Sequence, residues 1–151
     1  MSQITIEAIQ AKQTELAAMI QQLQSRPVTK TVIEIESCDI ELAPGEHYAG
    51  AVLDINGEHQ HHLILMDARP TGKLNWQAAM DWATTIGGAL PTRQEQALLF
   101  ANCKPHLKDD WHWSSQPYED DASSAWHCYF HGYQGYGDKS CEGCAVAVRR
   151  F

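Results

Sequence analysis

At 151 residues, with 44% hydrophobic and 20% charged content, the chain is long enough to bury one core of its own and carry an appendage. Its formal charge of −8, from 11 basic against 19 acidic residues, argues against a nucleic-acid backbone as partner, because such a partner calls for clustered Lys and Arg. No apolar run reaches the roughly twenty residues of a membrane span, and Met1-Ser2-Gln3-Ile4-Thr5-Ile6-Glu7 has no basic region leading into an apolar one, so neither membrane insertion nor a signal peptide is expected. A cytoplasmic location follows as the expectation. In that reducing compartment the five cysteines are expected to stay free of disulfides.

Residues 4 to 25 read as one helix, with Ile6, Ile9, Gln13, Leu16, Ile20 and Leu23 at the a and d positions of three heptads. The same periodicity fits a coiled-coil seam, giving a dimer or trimer, or an amphipathic helix folded onto its own domain. Pro27 ends it, so residues 1–27 are read as a helical segment and 28–151 as the folded domain. A strand is expected over Thr31 to Glu36. A hairpin follows, with strands Tyr48 to Ile55 and Glu58 to Met66 around the turn pair Asn56-Gly57. Asn75 opens a helix from Trp76 to about Ile86 that stops at Gly87, with Trp76, Met80 and Ala83 on its apolar face. Thr92-x-x-Glu95 is a capping box opening a second helix from Arg93 to about Cys103, expected to bury Ala97, Leu98, Phe100 and Ala101. Trp111 to Ser115, the stretch around Trp126, and Ala145 to Phe151 read as short strands.

Four motifs, in this order, carry a resemblance. Gly-Gly-x-Leu-Pro-Thr-x-x-Glu from Gly87, Trp-Ser-Ser from Trp113, Ala-Trp-x-x-x-Phe from Ala125 and Val-Arg-Arg from Val148 resemble a family of bacterial and phage domains of unassigned function. That family belongs to the C-type-lectin-like group, with formylglycine-generating-enzyme-like proteins and variable receptor-binding proteins of phages. The resemblance spans roughly residues 63 to 151 and implies an α+β, C-type-lectin-like domain with two helices and short antiparallel strands. It implies that Trp126 and Phe130 are core, and that Arg93, Trp113, Ser114 and Arg149 hold the fold. It also admits a virion-associated location. Activity does not follow from it, because function resides in sites and not in folds.

With Trp126 and Phe130 inward, His127, Tyr129 and His131 are expected outward, beside the glycine-spaced loop of Tyr133, Tyr136 and Asp138. Together with His112 and Tyr118 they form the expected binding surface, since rigid aromatics among adaptable polar groups suit recognition. Cys141-Glu142-Gly143-Cys144 is half of a zinc site, which Cys128 and His131, or His127 and Cys103-x-x-His106, could complete; otherwise the cysteines are redox-active thiols or structural. His59 and His61 share a strand face but have no local third ligand. Glu119, Asp120, Asp121 and Asp138 are a weaker calcium candidate against the reading of a solvated acidic face. The run Asp109-Asp110-Trp111-His112-Trp113-Ser114-Ser115 contains triad residue types, but neighbours along one strand alternate faces and cannot converge.

The expected function is therefore non-enzymatic recognition of a protein or glycan through residues 111–138, in a phage or prophage setting, without a resident cofactor. The alternative is a small cytoplasmic regulator docking on a host protein, with a structural zinc. An enzyme of the formylglycine-generating type is the least favoured reading.

Overall fold

A computed structural model of the protein describes residues 5–25 and 37–151. The strand expected over 31–36 and the boundary at Arg26-Pro27 lie outside the described residues. The chain divides into two units, Met1–Glu34 and Ile35–Phe151. In the first, helix α1 spans Ile6–Gln24, started by Thr5, whose hydroxyl accepts from the Ala8 N–H at 3.3 Å. The helix buries none of its residues, and Ile6, Ile9, Leu16, Ile20 and Leu23 are all exposed along one seam. Among the described residues no helix is long and apolar enough to cross a membrane.

The second unit is mixed α+β. Helices α2 (Trp76–Thr85) and α3 (Arg93–Asn102) accompany two three-stranded antiparallel sheets. One sheet has the order β1 (His47–Leu53), β2 (His59–Leu65), β6 (Val148–Arg150). The other has the order β3 (His112–Pro117), β4 (Ser124–Cys128), β5 (Gln134–Asp138). Leu63, Leu65, Val148 and Val146 meet Leu99 and Cys103 of the α3 region in one core. Trp113, Ala125, Ala145 and Ala147 meet Ala79 and Ala83 of α2 in the other.

Local chemistry sets both helix junctions. Gly87 at φ 80 and Gly88 close α2 with the paired bonds Gly87 N–H to Thr84 C=O and Gly88 N–H to Ala83 C=O. Gly88 also has to be small: a Cβ there would lie 2.5 Å from the Met66 sulfur and 3.1 Å from the Val148 carbonyl. At the start of α3, Thr92 accepts from the Glu95 N–H at 3.2 Å while Glu95 accepts from the Thr92 N–H at 2.8 Å.

Several expectations are corrected. The hairpin turn is wider than Asn56-Gly57 alone: residues 54–58 connect the strands, and Asp54 Oδ1 accepts from the Asn56 and Glu58 N–H groups at 2.8 and 2.9 Å. Only Gly57 takes a positive φ there, because the Asp54 side chain organises the turn in place of a two-residue loop. Helix α3 buries Glu95, Gln96 and Leu99, whereas Ala97 and Ala101 face solvent. Glu95 finds partners there, and Gln96 donates to the His112 carbonyl at 2.9 Å, although its Oε1 has no partner among the described residues. The terminal strand is only Val148–Arg150; Ala145 to Ala147 are buried outside any strand.

Candidate functional site

The β4 strand carries the main revision of the expected surface. His127, read as outward, is 6% exposed, whereas Trp126, read as core, lies half-buried on the opposite face. The register explains the inversion. His127 pairs with Trp113 on one side and Gly135 on the other, so it shares the face of a buried tryptophan. Gly135 and Gly137 leave that face of β5 bare, and the imidazole fills the space: a Cβ on Gly135 would stand 3.0 Å from His127 Cε1. Trp111 and Tyr129 complete the enclosure, with ring centroids 4.8 and 5.0 Å away. Burial holds the His127 pKa below the ordinary histidine range, opposed by the Tyr136 main chain. Its Nδ1 has no hydrogen-bond partner among the described residues.

His112 is also withdrawn from the expected surface. It is 2% exposed, its Nδ1 stands 3.2 Å from the Asp110 carbonyl, and burial pushes its pKa down to about 4. Ser114 Oγ accepts from the Gln116 N–H instead of facing His112, and Asp110 pairs with Lys73 at 2.6 Å. Asp110, His112 and Ser114 are thus each engaged with other partners.

What remains outward is an ordered aromatic face. Tyr118 and Tyr136 stack in parallel, centroids 3.9 Å apart with an interplanar angle of 3°. Trp126 meets both edge-on, at 5.1 and 5.9 Å. The Trp126 ring is clamped: the Arg93 guanidinium carbon lies 3.6 Å over it, and its Nε1 donates to Glu119 at 2.9 Å. Arg93 is itself fixed, donating from Nε to Gln134 Oε1 at 2.9 Å while Gln134 donates back to the Arg93 carbonyl. Next to this face, Trp126, Tyr129, Tyr133, Gly135 and Tyr136, together with His127 and Gln134, line a groove of about 420 Å³. Tyr133 and Tyr136 are 70% and 54% exposed.

Carboxylates border the face. The Glu119 pKa is lowered by its own backbone N–H and by Trp126, that of Asp121 by the Ser123 hydroxyl and N–H, and that of Asp138 by the Ser140 hydroxyl and N–H. Asp138 is thereby committed to a turn. His131 is exposed but stands apart from the groove, beside Phe130 on a smaller cleft of about 280 Å³.

Among the described residues no group of three His, Cys, Asp or Glu side chains converges to hold a metal ion. Cys141 is exposed, while Cys144 and Cys128 are buried, and burial drives the Cys128 thiol up to about 11. His61 donates to Glu95 at 2.8 Å and His59 leans on His62 at 4.4 Å, so the shared face expected for His59 and His61 is not used as a pair.

No family model and no curated protein matches this chain.

From sequence, Trp126, Arg93 and Glu119 have other roles and Gln134 none, yet together they make the face rigid. A period-two signal was present in Gly135 and Gly137. Two glycines on one strand face mark a surface that a neighbouring side chain must cover, and His127 is the large residue opposite.

Proposed function

We propose that residues 28–151 form a C-type-lectin-like recognition head that binds a protein or glycan, without chemistry upon it, in a phage or prophage setting. The observation that carries this reading is the locked aromatic face: parallel Tyr118 and Tyr136 with Trp126 held between Arg93 and Glu119. Exposed rings already fixed by their neighbours lose little freedom on binding, so the contact area they offer converts efficiently into affinity. The family pattern adds support, since Glu95, Arg149 and Arg150 of that pattern make internal ion pairs and leave the aromatic face free.

The exposed seam of α1 belongs to the same reading. Ile at a (Ile6, Ile20) and Leu at d (Leu16, Leu23), with Gln13 as the polar a position, suit a parallel assembly of identical copies. Joining heads on such a stem strengthens weak single-site binding through multivalency. The test is retention on mixed glycan and peptide arrays by the full chain and by the double variant Tyr118→Ala/Tyr136→Ala. Loss of retention in a variant that still unfolds cooperatively supports the reading; undiminished retention sinks it.

A further inference from the structure

We propose that the open edge of β5 is a strand-addition site for an extended, basic polypeptide segment. This rests on the recognition reading above and deepens it by naming the partner. Among the described residues β5 ends its sheet, next to β4. Hydrogen bonds from the Tyr129 N–H to the Tyr133 carbonyl and from the Lys139 N–H to the Ser123 carbonyl, both 2.8 Å, bracket the β4–β5 ladder. Between them His127 faces Gly135 and Ala125 faces Gly137. Antiparallel alternation then turns the N–H and C=O groups of Gly135 and Gly137 toward β4, and those of Gln134, Tyr136 and Asp138 toward solvent. The Asp138 carbonyl is taken by the Cys141 N–H at 3.0 Å. Among the described residues the main-chain groups of Gln134 and Tyr136 have no main-chain partner, and the one side chain acting on the Tyr136 main chain is the His127 imidazole.

Other sheet edges in this unit are blunted and this one is not. β1 carries two register shifts, at Tyr48/Gly50 and Val52/Leu53. β3 is bridged through His112 to Cys144, and β6 is three residues long and bridged through Val148 to Ala89. β5 runs without a register shift from Gln134 to Asp138 and contains neither Lys nor Pro, the usual guards of an edge.

The surroundings select the charge of the partner. Asp138 ends β5 itself with Asp121 acting on it, Asp120 lies beside the Tyr118 that stacks on Tyr136, and Glu119 accepts from Trp126, against Arg93 and Lys139 as the cations nearby. Arg93 lies flat on Trp126, and Lys139 Nζ donates to the Ala122 carbonyl at 2.7 Å, so both cations are already engaged. A Lys or Arg side chain on the incoming strand would meet the Tyr136 and Tyr118 rings with carboxylates beside them. A second copy of β5 would set acidic edge against acidic edge, which disfavours self-pairing.

The probe is an array of peptides of about nine residues, long enough to span a strand, in which Lys or Arg alternates with Val or Thr, with a Glu-substituted set as control. The full chain is expected to retain the basic set and not the Glu set. N-methylation of every second peptide amide is then applied in both alternations. One should weaken binding about tenfold by removing main-chain hydrogen bonds, and the other should not. Tyr136→Pro removes an outward N–H while leaving the β4 ladder its donors, so it should bind about tenfold more weakly than Tyr136→Ala. Equal effects of the two methylation registers, or equal binding by the two variants, overturn strand addition and leave side-chain recognition standing. Retention of glycans with no peptide also overturns it; retention of no probe at all sinks both readings.

Discussion

Replacing Glu95 with Ala should destabilise the second unit by about 4 kcal/mol. Glu95 is 1% exposed and accepts four hydrogen bonds: from the Thr92 N–H at 2.8 Å, from His61 Nε2 at 2.8 Å, and from Arg150 Nε and Nη2 at 2.6 and 2.8 Å. It therefore ties the start of α3 to β2 and β6 at once. Breaking a buried ion pair costs about 3 to 5 kcal/mol. The lower end applies, because the Arg150 side chain is 37% exposed and can rehydrate. The lost half of the capping box adds about 1 kcal/mol. For a domain of this size that lowers Tm by about 15 °C. Glu95→Gln keeps an acceptor for Thr92 but loses the charge, and should cost about half as much. Urea unfolding at neutral pH, followed by tryptophan fluorescence, measures both. A Glu95→Ala variant within about 1 kcal/mol of the parent would refute the reasoning, since the loss of the cap alone accounts for that much. Burial pushes the Glu95 pKa up, but Arg150 and the Thr92 N–H outweigh it and hold the group below the ordinary carboxylate range. Its contribution is therefore present at neutral pH and lost as pH falls through that lowered value.

His112 should make the protein acid-labile at milder pH. Its folded pKa of about 4 lies below the ordinary 6.5, so the folded state binds fewer protons between those values. Stability is expected to fall by about 3 kcal/mol as pH drops from 6.5 toward 4, seen as a declining urea midpoint that His112→Gln flattens. Gly135→Ala should cost about 1 to 2 kcal/mol by pressing on His127, and Gly137→Ala less, since its nearest contact is 3.5 Å. A thiol reagent at mildly alkaline pH should label Cys38 and Cys141 quickly, and Cys103, Cys128 and Cys144 only on unfolding. Leu16→Asp in α1 should reduce the mass seen by native mass spectrometry to that of one chain; an unchanged parental monomer would remove the assembly from the account.

Features that depend on near neighbours in sequence were legible in advance. Thr92 and Glu95 sit three residues apart, Gly87 and Gly88 follow an apolar-periodic run, and Asn75 precedes one, so the helix boundaries follow from local bonding. The interior face of β4 was not legible from β4 itself, because alternation says only that Trp126 and His127 oppose each other; the one signal lay in the glycines of β5. The choice between them is made across strands, by the His127–Trp113 pairing and the bare glycines of β5. Gln96 and Glu95 were missed as buried for the same reason. Their partners, the His112 carbonyl and Arg150, are distant in the chain, and polarity alone places such residues outside. Of the expected surface, Tyr118, Tyr129, Tyr133 and Tyr136 gather around the aromatic face and groove, His127 is buried yet contributes to the groove lining, and His112 lies inside.

The central proposal is that residues 118–138 make the contact with the partner. Amide shift mapping of the isotopically labelled full chain tests this most directly, by titrating in whichever glycan or peptide the arrays retain most strongly. Perturbations gathered on Tyr118, Trp126 and Gln134 to Gly137, with the β1–β2 hairpin silent, are the expected result. Perturbations centred on the hairpin or on the cleft beside His131, with residues 118–138 unmoved, would contradict it.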